Sequence, residues 1–375
     1  MRIALVGPAH PYKGGGARHT TELARRLAAA GHNVIIESWR AQYPARLYPG
    51  QQTVDAPEGK PYPRTYRRLA WNRPDAWAAA GRRLRSADLV IFALLTPIQV
   101  PAYLVILAGL GRVPGRPRTL VICHNVLPHE RRPGDVALVR TLLAHVDTVL
   151  VHSAGQAAEA RQLVPDVPIV VARMPPHLPQ GGYGGTGSPP VSGGGLGGVV
   201  PPEGTLRLLF FGIVRPYKGL DVLLRALARA PAHVTLTVAG EFWGGTGETE
   251  KLIAELGLQG RVTLQPGYVP AGRIPALFKS ADALVLPYRE ATASQNVVLA
   301  FSYGVPVIAT TAGALAEAVR DGVDGLTCAP GDVDDLARAL TAVSVPETAA
   351  LLRSGVRAVD PEPYWAAYLR VLLAG

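Results

Sequence analysis

The sequence predicts an α/β chain built from two doubly wound parallel-sheet domains, and three observations predict it. Short Val/Ile/Leu-rich runs alternate with amphipathic stretches of helical period along nearly the whole chain. The alternation is interrupted once, at residues 181–204, where 11 of 24 residues are Gly and four are Pro, and then it restarts. The chain has 375 residues and 48% apolar content, enough for a sizeable core in each half.

Taken in order, RIALVG reads as a strand, followed by a Gly-rich turn and by TTELARRLAAAG, a helix closed by Gly31. NVIIESW, LVIFALL, TLVICHN, TVLVHS and PIVVA continue as strands whose near-continuous β-branched and Leu content suits a parallel sheet covered on both faces. Residues 89–111 carry no charge over 23 positions, long enough to span a bilayer. Pro97 and Pro101 divide them into a buried strand, LVIFALL, and a core helix, PAYLVILAGL, with Thr96 and Gln99 in the break. Residues 181–204 hold a single charge, Glu203, and read as a linker or disordered loop. LRLLFFG, VTLTVAG, VTLQPG, ALVLPY and PVIAT then form a second set of strands, separated by helices such as LDVLLRALARA and VDDLARALTAV. DPEPYWAAYLRVLLAG is a Pro-started amphipathic helix that closes the second domain or crosses back to the first. The expected boundaries are 1–178 and 205–356 for the domains, 179–204 for the linker and 357–375 for the last helix.

Two cysteines, Cys123 and Cys328, exclude a disulfide framework and a Cys-rich zinc site. The opening MRIALVGPAH has too short an apolar stretch for a signal peptide, and the cytosol is the expected compartment. The net charge of +10 is unevenly spread. Up to residue 178 there are 23 Lys and Arg against 11 Asp and Glu, and beyond it 15 against 17. The charge is densest at 60–85, where Lys60, Arg64, Arg67, Arg68, Arg73, Arg82, Arg83 and Arg85 meet one acid, Asp75. Tyr62, Tyr66, Trp71 and Trp77 are interleaved with them. Such a stretch suits an anionic surface of phospholipid, lipid diphosphate or nucleic acid, and reads equally as a solvated Arg-rich face.

In doubly wound sheets ligands bind beyond the carboxyl ends of the strands, so the residues that follow each strand are the chemical candidates. After the first strand, Gly14, Gly15 and Gly16 let the backbone approach a ligand and turn N–H groups toward an anion. The spacing is not GxGxxG and no GK[ST] follows, so a bare structural turn competes with that reading. After LRLLFFG, Arg215 and Lys218 lie on a loop entering a helix, two fixed cations suited to a diphosphate or simply solvated. After ALVLPY comes Glu290, followed by small and polar residues whose amides can hold phosphate. Glu290 beside a diphosphate recognises neutral hydroxyls, or else it is an ordinary N-terminal helix acid. His124-Asn125 and His152-Ser153 add hydrogen-bonding groups at strand ends of the first sheet. No HExxH, DxD or carboxylate cluster proposes a metal, and no cofactor is expected.

FFGIVRPYKGLDVLLRAL and PYREATASQNVVLAFSYGVPVIATTAGALAEAVRDGVDGLTCAPGD together resemble the donor-binding half of family 4 retaining glycosyltransferases. GPAHPYKGGGARHTTELARRLAAAGHNV is similar to that family's opening strand, glycine loop and helix, and VICHNVLPHERRP resembles a segment of its acceptor domain. The resemblance covers nearly the whole chain outside residues 181–204. It implies a GT-B fold, two Rossmann-like domains facing each other across a cleft. It also implies metal-independent, retaining transfer of a hexose from a nucleoside diphosphate sugar to a hydroxyl of a glycan or lipid-linked acceptor. In that reaction the departing diphosphate takes the acceptor proton.

By position, the resemblance implies that Lys218 binds the donor diphosphate with Arg215 beside it, and that Gly15 and Gly16 line the donor pocket. Glu290 is implied to contact the donor sugar and His124 a sugar hydroxyl. Two departures stand out. Ile213 occupies the place of the usual Arg after the strand glycine, and the second Glu of the family's carboxylate pair falls at Val298 or Leu299. Ser294, Gln295 and Asn296 are therefore the candidates for the nucleoside and sugar. Arg64, Arg67 and Arg68 become an acceptor-side or membrane-side face of a cytoplasmic protein peripheral to the inner membrane surface, with no nucleic-acid partner. The rivals left open are a nucleotide-sugar epimerase or phosphorylase on the same fold, and a non-catalytic glycan- or nucleic-acid-binding protein.

Overall fold

Strand β1 (Arg2–Val6) alternates Ile3 and Leu5 toward one face with Ala4 and Val6 toward the other, and all four are buried. Both faces of its sheet are therefore covered, as a parallel sheet requires. The computed structural model describes residues 1–44, 52–53, 61–111, 115–128, 131–177, 204–291 and 295–374. Residues 181–203, Lys60 and Ser294 lie outside the described residues.

Two compact units divide the chain. The first comprises Met1–His177 and Asp360–Gly375. Its further strands are β2 (Asn33–Ala41), β3 (Thr65–Ala70), β4 (Leu89–Leu94), β5 (Arg118–Cys123), β6 (Thr148–Val151) and β7 (Ile169–Val171). They form a wholly parallel sheet of order β3-β2-β1-β4-β5-β6-β7. Its helices are α1 (Gly15–Ala29), α2 (Pro74–Leu84), α3 (Val100–Leu110), α4 (Asp135–Leu143) and α5 (Ala154–Leu163). One face packs Val6, Phe92 and Val121 against Trp77, Tyr103 and Leu142 of α2, α3 and α4.

The second unit, Leu178–Val359, repeats the scheme. Strands β8 (Leu206–Phe211), β9 (Val234–Gly240), β10 (Val262–Pro266), β11 (Ala283–Leu286), β12 (Val307–Thr310) and β13 (Gly325–Cys328) pair in parallel in the order β10-β9-β8-β11-β12-β13. They are covered by α6 (Leu220–Arg229), α7 (Gly247–Glu255), α8 (Ile274–Lys279), α9 (Gln295–Ser302), α10 (Leu315–Ala318), α11 (Val333–Val343) and α12 (Pro346–Gly355). Both units thus have the strand order of doubly wound nucleotide folds.

The last helix, α13 (Glu362–Ala374), buries Trp365, Tyr368 and Leu372 beside Leu23 and Leu27 of α1, on the other face of the first sheet. Arg26 of α1 grips the Glu362 carboxylate with both terminal nitrogens (2.5 and 2.8 Å), and Arg118 donates to the Leu373 carbonyl (3.2 Å).

The uncharged stretch 89–111 is β4, a 3-10 turn at Pro97–Gln99 and α3. Gln99 Oε1 accepts from the amides of Leu95 and Thr96 (2.8 and 3.1 Å), which closes the backbone at the break. Among the described residues no helix is long and apolar enough to cross a membrane.

The basic stretch is β3 and α2, and it is not a uniform cationic face. Tyr62 and Trp77 are buried. Pairing of β2 with β3 brings Glu37 level with Tyr66. There Arg83 holds both Glu37 carboxylate oxygens (3.1 and 3.2 Å), and Arg68 stands 3.5 Å from one of them and over the Tyr66 ring. Arg67 donates to the His10 carbonyl (2.8 Å), Arg64 to the Asn33 side chain, Arg85 to the Gly109 carbonyl, and Arg73 pairs with Asp75. Much of the charge expected to face outward is committed within the unit.

Candidate functional site

In each sheet the strand order reverses once, between β1 and β4 and between β8 and β11. A crevice opens at such a reversal, beyond the strand ends. In the second unit the loops there are 212–219 and 287–291, and they carry Arg215, Lys218 and Glu290.

Lys218 and Asn296 converge on Gly212, directly after β8. A side chain at Gly212 would start 3.5 Å from Lys218 Nζ and 3.6 Å from Asn296 Nδ2. Asn296 donates to the Phe211 carbonyl (3.0 Å), and Lys218 Nζ lies 5.1 Å from the centre of the Tyr288 ring, an arrangement that suits a cation. Tyr288 itself is buried, its carbonyl accepting from Thr310 Oγ1 (2.5 Å). Arg215 is held differently. Val214 bridges to Phe242, and this brings Trp243 beneath the Arg215 guanidinium, whose carbon is 4.1 Å from the ring centre. Glu290 is exposed and Gln295 half-buried at the start of α9.

Sequence reasoning passed over Arg289. Its two terminal nitrogens grip Asp221 (2.8 and 2.7 Å), one of them also donates to the Pro216 carbonyl (2.8 Å), and its amide donates to the Tyr217 carbonyl (2.8 Å). Burial raises the Asp221 carboxyl pKa, and the hydrogen bonds and charge of Arg289 more than offset this, for a net lowering. Gly219 completes the contact: its φ is +66°, and a Cβ there would sit 2.1 Å from the Pro287 carbonyl oxygen.

The first unit places different chemistry at its strand ends. Gly15 is exposed with open space around it, whereas Gly16 is buried, and a side chain there would strike Leu95 at 2.1 Å. Gly16 therefore has a packing reason to be glycine, across the reversal between β1 and β4. Four histidines gather nearby. The His19 ring lies 5.2 Å from that of His124, 6.1 Å from His152 and 5.1 Å from His177, and stacks on Trp365 of α13 (5.5 Å). His19 shares hydrogen bonds with His177 (3.0 Å) and with the Tyr368 hydroxyl (3.1 Å).

Burial favours the neutral form of three of these rings, His19, His124 and His152. It pushes His19 and His124 well below their ordinary pKa, aided by the neighbouring imidazoles, and lowers His152 to about 4. His10 is lowered to about 4 by burial and then by Arg18 and Arg25. The Nε2 atoms of His124 and His152 are buried without a hydrogen-bond partner. Among the described residues no three His, Cys, Asp or Glu side chains are arranged to hold a metal.

Two family models match the chain. Residues 13–173 match Glycosyltransferase Family 4 and residues 205–344 match Glycosyl transferases group 1. D-inositol 3-phosphate glycosyltransferase of Mycolicibacterium smegmatis is 32% identical over 170 residues, 44% of this chain and 38% of the relative. The enzyme of the same name from Nocardia farcinica is 34% identical over 171 residues, 43% and 37% of the two chains. The chain therefore spans less than two-fifths of the length of these curated relatives.

Among solved structures, sucrose-phosphate synthase from Thermosynechococcus elongatus aligns with a TM-score of 0.71 at 18% identity, covering 100% of this chain and 96% of that one. Anabaena HepE in complex with UDP and glucose aligns with 0.70 at 16%, covering 99% and 98%. These likenesses establish the fold as GT-B, two Rossmann-like domains. With matching models over both halves, the chain belongs to the family 4, group 1 glycosyltransferases.

Proposed function

We propose that the protein is a retaining, metal-independent glycosyltransferase that moves a hexose from a nucleoside diphosphate sugar to a hydroxyl of a glycan or lipid-linked acceptor. One observation carries this reading: Lys218 and Asn296 converge at the strand reversal of the second sheet, with Arg215 on the same loop. Lys218 and Arg215 bind the diphosphate, and their charges stabilise the negative charge that develops as the bond to the sugar breaks. A leaving-group oxygen then takes the proton of the acceptor hydroxyl, while the new glycosidic bond forms on the same face. Two fixed cations supply the neutralisation that a metal would otherwise give.

Glu290 and Gln295 serve the donor sugar, and Ser294 and Asn296 its polar neighbourhood. Gly15 offers its backbone to a ligand at the glycine loop of the first unit, with Gly16 packed behind it. His124, neutral at pH 7, exchanges a hydrogen bond with a sugar hydroxyl without adding charge. The acceptor side belongs to the first unit, where Arg64, Arg67 and Arg68, exposed although each also holds a partner inside the unit, meet anionic headgroups of a membrane surface.

The test is a thermal-shift panel of UDP-, GDP- and ADP-sugars with donor consumption followed beside it. UDP leads the panel because HepE, of the same fold, holds it. The expected result is stabilisation by one base class and slow donor hydrolysis that survives EDTA. Silence across the panel would sink the enzymatic reading in favour of a non-catalytic binder. Loss of turnover in EDTA with rescue by Mg²⁺ or Mn²⁺ would remove its metal independence.

A further inference from the structure

We infer that Arg289 is the positioning residue of the phosphate-binding loop, fixing Lys218 without touching the donor. The inference rests on the donor-site reading above. The loop consists of a single 3-10 turn, Pro216–Lys218, between β8 and α6. One such turn is closed by few internal bonds: here Lys218 N to the Arg215 carbonyl (3.0 Å) and Gly219 N to the Pro216 carbonyl (3.1 Å). A lysine on so short a turn is only as well placed as the turn itself.

Arg289 supplies the missing anchorage from the neighbouring strand end. It binds the carbonyls of Pro216 and Tyr217, two successive residues of the turn, and holds Asp221 in the first turn of α6 with a two-pronged fork. Tyr288, the residue before it, lies against Lys218 Nζ, and Gly219 rests on the Pro287 carbonyl. Residues 287–289 thus touch the turn at its backbone, at its cation and at its exit. With both terminal nitrogens engaged on Asp221 and Pro216, the Arg289 guanidinium is occupied as a brace.

The ion pair is weak as a stability element, since the side chains of Arg289 and Asp221 are 40% and 47% exposed. Arginine is nevertheless needed: the fork spans a carboxylate and a carbonyl at once, which the single ammonium of lysine cannot reproduce.

The experiment titrates the full chain with inorganic pyrophosphate, whose binding needs neither base nor sugar, and records the melting temperature of each variant. Lys218→Ala is expected to weaken pyrophosphate at least about tenfold, as loss of a charge-assisted contact does. Arg289→Lys is expected to weaken it about fivefold in the wild-type background and to be silent in Lys218→Ala, the signature of one residue acting through another. Melting temperatures should move little. Asp221→Asn, which loosens the fork while keeping Arg289, should give the same selective loss.

Additive effects of Arg289→Lys and Lys218→Ala would overturn the inference, because Arg289 would then act independently of the lysine. So would loss of pyrophosphate that merely tracks a fall in melting temperature, or Arg289→Lys silent while Lys218→Ala is not. If Lys218→Ala itself changes nothing, the donor-site reading fails and this inference falls with it.

Discussion

The two units share a strand order and place their polar residues at the same topological positions, yet they populate those positions with opposite chemistry. The first gathers histidines that burial holds neutral, braced by Tyr368 and Trp365 of α13. The second gathers the cationic side chains of Arg215, Lys218 and Arg289. Neutral imidazoles suit hydroxyls, which need a partner that both gives and takes hydrogen bonds. Fixed cations suit phosphate oxygens, which only accept. The division follows from residue type and burial, and it makes the first unit sensitive to mild acid, whereas the Asp221–Arg289 pair of the second gives way only below the ordinary carboxylate range.

Acid is the largest lever on this difference. His152 is lowered from 6.5 to about 4. Between those values the unfolded chain binds a proton that the folded chain refuses, so stability falls as pH drops through that window. The shift of His152 alone corresponds to about 3 kcal/mol, and the buried rings of His19 and His124 act in the same direction. Urea unfolding between pH 7 and 4.5 should show the first unit failing early, reported by Trp365 stacked on His19. A stability curve flat with pH, or identical loss in both units, would break the comparison.

Next comes Lys218→Ala, expected to cost nucleoside diphosphate binding about 1.5–3 kcal/mol while leaving the free nucleoside almost untouched. Calorimetry with UDP and uridine measures both, and an equal loss for the two ligands would remove Lys218 from the phosphates. Tyr368→Phe sharpens the other side. It deprives buried His19 of its Tyr368 hydrogen bond and should lower stability by about 1 kcal/mol with donor affinity unchanged. A variant as stable as wild type would mean that the contact between α13 and the cluster is packing alone.

The smallest effect concerns the basic stretch. Arg68 is a poor choice for a membrane test, since its removal also takes a partner from Glu37. Arg82→Ser should instead reduce retention on anionic vesicles by up to about 1 kcal/mol, with neutral vesicles ignored throughout. Wild-type protein that passes anionic vesicles at low salt would leave the acceptor a soluble glycan.

The strands of both sheets were legible because LVIFALL, TLVICHN or ALVLPY are apolar without a break, and a strand buried on both faces has no other way to be written. β3 and the short β13, GLTC, were not. TYRRLA is an edge strand with two adjacent exposed arginines and no alternation, so it read as a charged surface, and its partner Glu37 lay in a separate stretch of sequence. Lys218 and Arg215 stood out because a strand end and a helix start flank them. Arg289 stood next to Glu290 and was passed over, since its meaning depends on Asp221, 68 positions away. The histidine cluster was visible only as pairs of polar residues after strands. Its centre, His19, sits inside a helix, and its brace, Tyr368, comes from the far end of the chain.

Glu37 carries a consequence for stoichiometry. In dinucleotide folds an acid at the end of the second strand, roughly twenty residues past the glycine loop, receives the ribose hydroxyls. Glu37 is the acid β2 offers at about that distance, but it sits in mid-strand and is 1% exposed, with Arg83 on both oxygens and Arg68 beside one of them. A carboxylate so engaged has nothing left to offer a sugar ring. The fold is present twice, but the seat for a nucleoside is closed in the first copy, and one nucleotide per chain is the binding ratio to expect.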